Sequence, residues 1–303
     1  MKAEQGPLVF DARSEKAHPD YLDRDTNGKY WIKDTFVDTD ARLGPYDYVF
    51  DFGTTRSLLR GLVPERQRLT ENIDGLTVLS FEDQTIKQAM TRISAIANEP
   101  DTDPGSPTDN DREKRYRGEL EYVYDAMGRE ALDWAGDDNM LVLTPKMGGV
   151  FVQEVFEKAG FAPEDFFDYR MSRVLRNDGG LMLGATFGEN NPDITKFKKF
   201  VIADDCLASD ISSYATILLL KEKYEEAGLD FSEVEILITV STASQRGAES
   251  LLSQATKDEL GFGSLKIITG TLAYQLNDHF YLLNPDGTFA VGDMGRLTTL
   301  KTA

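Results

Sequence analysis

Apolar residues recur along this chain with two distinct periods. Ile86, Met90, Ile93 and Ile96 follow helical spacing and predict a helix over residues 83–97. Further helices are predicted over 119–134, 150–159, 212–227 and 246–257, with Gly160 and Gly228 stopping two of them. Between them lie short, mostly apolar runs at 76–79, 140–144, 200–203, 234–240 and 265–269. Runs apolar on both faces that alternate with helices predict an α/β fold, with a mainly parallel sheet flanked by helices. Right-handed crossovers in such a sheet put ligands at the carboxyl ends of the strands.

Other stretches break this rhythm. Residues 166–174 and 181–187 read as a hairpin joined through Asn177-Asp178-Gly179-Gly180. Residues 99–115 begin acidic and rich in Pro, Gly and Ser, and read as an exposed loop. Residues 1–60 show no period and read either as an extension wrapping the main body or as a partly disordered tail. The chain thus divides into an arm, 1–60, and a main domain, 61–303.

Composition narrows the chemistry. A net charge of −19 disfavours general binding to nucleic acid or anionic membranes. No apolar run reaches membrane-spanning length, and the N-terminus lacks a signal-peptide pattern, so a cytoplasmic location is expected. The single cysteine, Cys206, rules out an internal disulfide. With only His18 and His279 beside it, zinc is not expected, and neither haem nor flavin is.

The densest chemistry lies in FVIADDCLASDIS, residues 200–212. An apolar strand ends in Asp204 and Asp205, a loop of small residues follows, and Ser212 is placed to cap a long helix. Adjacent carboxylates repel unless a cation or sugar hydroxyls compensate them. Free backbone N–H groups in the loop and first helical turn suit a phosphate. Together they point to a phosphorylated sugar.

This segment resembles the binding loop of type I phosphoribosyltransferases, in which an apolar run precedes two acids, two apolar residues and a small, hydroxyl- and glycine-containing loop. Asp204, Asp205, Ala208, Ser209 and Ser212 match, Ile211 falls on the variable position, and Asp210 stands where the family has a small residue. Downstream, ITGTLAYQLNDHFYLLNP and GDMGR are similar to the C-terminal half of uracil phosphoribosyltransferases, through Leu276, Asn277, Tyr281, Leu282, Leu283, Gly292, Asp293, Gly295 and Arg296. The likeness covers about residues 65–300. There Phe280, Ala273 and Asn284-Pro285 depart from the family pattern.

The resemblance implies a set of roles. Asp204 and Asp205 would be catalytic, gripping the ribose hydroxyls. Ala208, Ser209, Asp210, Ile211 and Ser212 would hold the 5′-phosphate. The glycine turn Lys146, Met147, Gly148 and Gly149 would bind pyrophosphate, with Arg170 and Arg173 (and Arg176 nearby) reaching in from the hairpin as a flap. A plain surface hairpin with solvated arginines is the other reading. Tyr281, Leu282, Leu283 and Gly292 would form the base site, and Asp293 would reach Mg2+, possibly through water. The implied reaction transfers ribose 5-phosphate from phosphoribosyl pyrophosphate to uracil or a related nucleobase, in a homo-oligomer such as a dimer. The alternative is an inactive homologue that binds a nucleotide as a regulatory or structural subunit.

Overall fold

A computed structural model describes residues 8–13, 17–37, 42–53, 76–80, 84–100, 106–136, 139–145, 149–208, 210–273, 275–276, 282–284 and 286–291. In chain order the elements are β1 (Leu8–Asp11), β2 (Leu22–Arg24), β3 (Tyr30–Ile32), β4 (Tyr48–Asp51), β5 (Leu76–Ser80), α1 (Gln84–Ala97), α2 (Pro107–Ala135), β6 (Met140–Pro145), α3 (Gly149–Ala159), β7 (Phe166–Leu175) and β8 (Leu181–Phe187). They continue with β9 (Lys199–Ala203), β10 (Cys206–Leu207), α4 (Ile211–Glu226), β11 (Glu235–Ser244), α5 (Gln245–Leu251), α6 (Gln254–Leu260), β12 (Ser264–Ala273), β13 (Gln275–Leu276) and β14 (Leu282–Leu283). The chain forms two compact units: residues 1–61 with 168–191, and residues 62–167 with 192–303. Among the described residues no helix is long and apolar enough to cross a membrane.

The larger unit is an α/β layer structure. Five parallel strands run in the order β6, β9, β11, β12, β5, and β10 lies beside the end of β11. Alternation along each strand sends side chains to opposite faces. Val142, Val201, Leu237 and Ile268 pack on one face with α1, α2 and α3. On the other face Phe200 meets Tyr224 of α4, with ring centroids 6.2 Å apart. The first half of α4 is buried almost all round, which is why its sequence is apolar without a polar stripe. Helix α2 shows the opposite pattern: Tyr116, Leu120, Val123, Tyr124, Met127 and Ala131 line one buried face.

Several boundaries differ from the sequence reading. Helix α2 starts at Pro107, inside the stretch read as loop. Proline suits the first helical position because its missing N–H is not needed there. Arg115 then ties the polar opening turns down, donating to Glu99 at 2.7 and 2.8 Å and to Asp111 at 3.0 Å. The helix expected over 246–257 is two helices, because Ser253 Oγ accepts from Thr256 N at 3.2 Å and starts a new one. Strand β11 runs on past Val240 to Ser244, paired on both sides.

The smaller unit is antiparallel. Strand β4 lies between β1 and β8, and β7 pairs with the far side of β8. Ala12, Leu22, Tyr30, Ile32, Val37, Tyr46, Val49, Val174 and Met182 form its core. Gly184 is needed where Tyr46 crosses β8, since a Cβ there would lie 2.4 Å from the Tyr46 ring. The first 60 residues are therefore strand-forming where described, and the hairpin β7–β8 is part of their sheet. Its turn is held by Arg176, whose guanidinium donates to the buried Asp51 at 2.9 Å, pairs with Asp178 and stacks 4.6 Å from the Tyr21 ring centroid. The Tyr21 hydroxyl also donates to Asp51.

Candidate functional site

The two acids leave the sheet where β9 ends. Asp204 N donates to Thr239 O at 3.1 Å, and Asp205 O accepts from Ser241 N at 3.2 Å, so the turn stays beside β11. The Asp204 carboxylate accepts from Asp205 N at 2.8 Å, and the Asp205 carboxylate from Cys206 N at 2.7 Å. Each acid thus braces the next peptide, and both side chains are half-exposed. Two hard oxygen donors on neighbouring residues suit a cation shared with water and substrate oxygens, rather than one enclosed by protein. Among the described residues no cluster of three His, Cys, Asp or Glu forms a protein-only metal site.

Helix α2 supports this turn from beneath. The fully buried Tyr124 hydroxyl lies 2.8 Å from Asp204 O and 2.9 Å from Asp205 O, and accepts from Ser241 N at 3.1 Å. Ser241 Oγ donates to Asp205 O at 2.7 Å. Burial, reinforced by the Asp205 charge, pushes the Tyr124 hydroxyl well above its ordinary pKa. It stays a donor across the physiological range. The sequence reading passed over Tyr124 because a tyrosine at helical spacing reads as core. The run of hydroxyls at the end of β11 was the available signal for this support.

The loop that follows is closed from the other side by α5. Ser244 Oγ donates to Ala208 O and accepts from Gly247 N at 2.8 Å. A Cβ on Gly247 would come 2.8 Å from Ala208 O, so only glycine lets α5 approach this closely. Asp210 then takes the left-handed conformation, φ 59° and ψ −24°, at the N-cap of α4. Its backbone carbonyl accepts the first intrahelical bond, from Tyr214 N at 2.8 Å. Ser212, expected as the cap, lies inside the first turn instead. The helix can start earlier because aspartate tolerates the left-handed conformation. Asp210 makes no side-chain cap. The residue is 2% exposed, and its carboxylate accepts from Ser250 Oγ of α5 at 2.6 Å.

The remaining expected residues fall in several places. Ile211 is buried and Ser212 is half-exposed in the first turn of α4. Gly149 opens α3. Leu282 is buried and Leu283 half-buried in β14, which pairs with β13. Lys146, Met147, Gly148, Ser209, Asn277, His279, Phe280, Tyr281, Pro285, Gly292, Asp293, Gly295 and Arg296 lie outside the described residues. Arg170 pairs in register with Thr186 and Arg173 with Leu183. An odd separation along a regular strand sends the two arginines to opposite faces of their sheet. Arg176 is engaged by Asp51 and Asp178.

A cleft of about 360 Å³ opens beside the carboxyl end of β12, lined by Lys87, Met90, Thr91, Ser94, Gly270, Thr271, Asn284 and Ala290. Thr271 is in register with Thr242, and Thr242 with Cys206. One strand, β11, therefore separates the cleft wall from the acid turn.

The sequence matches no described protein family and no curated protein. Similar solved structures include a protein from Aquifex aeolicus at 16% identity and TM-score 0.48, covering 75% of this chain and 100% of that one. Adenine phosphoribosyltransferase from Trypanosoma brucei, in complex with AMP, pyrophosphate and ribose-5-phosphate, is 10% identical at TM-score 0.39, covering 67% of this chain and 87% of that one. Orotate phosphoribosyltransferase from Aeropyrum pernix is 13% identical at TM-score 0.32, covering 54% and 76%. Scores below 0.5 leave the architecture to be read from the strand order given above.

Proposed function

We propose that this protein is a phosphoribosyltransferase acting on phosphoribosyl pyrophosphate and a nucleobase, with uracil or a related base as acceptor. One observation carries the reading. Two acids at a strand end run into a loop braced by Tyr124 and Ser244, which delivers the chain to the N-terminus of α4. Asp204 and Asp205 orient the ribose hydroxyls and favour positive charge at the sugar carbon as pyrophosphate departs. The loop and first turn of α4 offer backbone N–H groups to the 5′-phosphate. Mg2+, when bound, neutralises pyrophosphate charge, with Asp204 and Asp205 as fitting donors and Asp293 as a further one by sequence likeness. A cytoplasmic location and a homo-oligomer belong to the same reading and come from that likeness.

The test is pyrophosphate release from phosphoribosyl pyrophosphate, Mg2+ and a panel of bases. Product is expected with at least one base. Asp204→Asn and Asp205→Asn are each expected to lower turnover by roughly a hundredfold or more, in line with loss of a group that stabilises transition-state charge. No product with any base, and no heat of phosphoribosyl pyrophosphate binding, would sink the proposal.

Asp210 favours a second reading, a non-catalytic homologue that binds a nucleotide as a regulatory or structural subunit. A carboxylate about 4 Å from a phosphate repels it by roughly 4 kcal/mol per charge pair at an effective dielectric of about 20. Ser250 turns the Asp210 carboxylate into the protein and sets its position. Asp210→Gly and Asp210→Asn decide between the two readings. A rise in phosphoribosyl pyrophosphate affinity with turnover appearing assigns Asp210 as a suppressor of a competent site.

A further inference from the structure

Among the described residues Arg112 is the only buried arginine, at 6% exposure. It sits in the second turn of α2, one turn before Tyr116 on the face that packs inward. A buried guanidinium is costly unless an anion and hydrogen bonds compensate it. Among the described residues that compensation is slight. Arg112 Nη1 donates to Pro100 O over 3.4 Å, at the long limit of a hydrogen bond. Its Nε is fully buried and has no hydrogen-bond partner. Two carboxylates close in sequence are already taken: Glu99 accepts from Arg115 through both oxygens at 2.7 and 2.8 Å, and Asp111 from Arg115 Nε at 3.0 Å. The more exposed arginines of α2, Arg115, Arg117 and Arg129, each have an acid beside them.

With Nη1 turned to Pro100, the edge formed by Nε and Nη2 remains. These two N–H groups point the same way, spaced to match two oxygens of one oxyanion. Helical side chains lean toward the N-terminus, so Arg112 reaches back to the elbow where α1 ends and α2 begins. That elbow also receives the positive pole of a 29-residue helix and its first-turn N–H groups. Charge then selects the kind of oxyanion. Residues 99–115 hold six acids against three bases. In such surroundings a planar, singly charged carboxylate is repelled less than a doubly charged phosphate, and it matches the single charge of Arg112. Tyr124, which supports the acid turn, lies twelve residues further along α2, about 18 Å away at 1.5 Å per residue. A ligand at Arg112 is therefore no part of the transfer site.

We infer that the elbow between α1 and α2 is a binding site for a small monocarboxylate, held by the Nε–Nη2 edge of Arg112 and separate from the acid turn. The site is independent of the function proposed above.

NMR of the full chain with nitrogen-labelled arginine, titrated with acetate while sodium chloride holds the ionic strength constant, tests it. The Arg112 Nε–Hε signal, identified by its loss in Arg112→Gln, is expected to move and to saturate. Inorganic phosphate at pH 8 is expected to bind about tenfold more weakly, the effect of one extra charge beside a surplus of acids. Arg112→Lys keeps the charge and loses the two-pronged edge, and is expected to bind acetate about tenfold more weakly. Acetate is expected to raise the urea midpoint of the unaltered protein and to leave that of Arg112→Gln where it was. Should Arg112→Gln not fold, Arg112→Lys identifies the signal, and should neither fold, saturable movement of one arginine Nε signal in the unaltered protein still supports the site. No saturable movement, acetate binding undiminished in Arg112→Lys, or phosphate binding as tight as acetate overturns the inference. Loss of stability in Arg112→Gln with no acetate effect on the unaltered protein reduces Arg112 to a brace for the elbow, and overturns it equally.

Discussion

Asp210 combines a left-handed backbone with a buried carboxylate held by Ser250. The left-handed region costs an ordinary residue about 1–2 kcal/mol, and glycine almost nothing. Asp210→Ala is therefore expected to be less stable than Asp210→Gly by about 1 kcal/mol, measured as urea midpoints. Equal midpoints would mean that the backbone conformation is not what the position demands. Tyr124→Phe removes the shared proton beneath Asp204 O and Asp205 O, and is expected to cost about 1–3 kcal/mol. If the proposed transfer holds, it should also raise the KM for phosphoribosyl pyrophosphate, whereas a phenylalanine that kept KM would limit Tyr124 to a packing role. These two residues mark how far the site was legible. The acids, the small loop and the helix behind it could be read from residue types in order. Their supports could not, because Tyr124, Ser241 and Ser250 are ordinary core or helix residues until the fold brings them against the loop.

At the scale of elements, legibility followed burial. The parallel strands are apolar on both faces, so all five were predicted, with β11 stopped short because hydroxyl residues at its buried end read as polar. The opening of α2 was missed for the converse reason: its first turns are held by ion pairs and an initiating proline rather than by an apolar stripe. Helix α5 illustrates how one element positions another. Gly247→Ala would drive a methyl group to 2.8 Å from Ala208 O, displacing the loop or the helix. It is expected to cost about 1–3 kcal/mol in thermal or urea unfolding and to reduce phosphoribosyl pyrophosphate binding. Unchanged stability and binding would show that the loop does not depend on this contact.

For the molecule as a whole, alkaline pH is a revealing stress. Burial, with Asp51 adding to it at Tyr21 and Asp205 at Tyr124, raises both hydroxyls above their ordinary pKa, and burial alone pushes Tyr224 up to about 12. The folded protein keeps these protons where the unfolded chain, with tyrosines near 10, has lost them. The unfolded state then binds fewer protons, so stability is full below about pH 10 and falls as pH rises toward the folded values. Urea midpoints between about pH 8 and 11.5 should decline, and less steeply in Tyr124→Phe. A flat profile would contradict the burial of these hydroxyls. The pairing of β4 with β8 has a practical consequence for anyone dissecting the chain. A truncated version beginning at Leu62 would lack β4, stripping β8 of hydrogen bonds along one side and opening an unsatisfied backbone edge. Such edges recruit strands from other copies. The short version should come out of expression clumped, while the intact chain does not, even though everything cut away lies outside the parallel sheet.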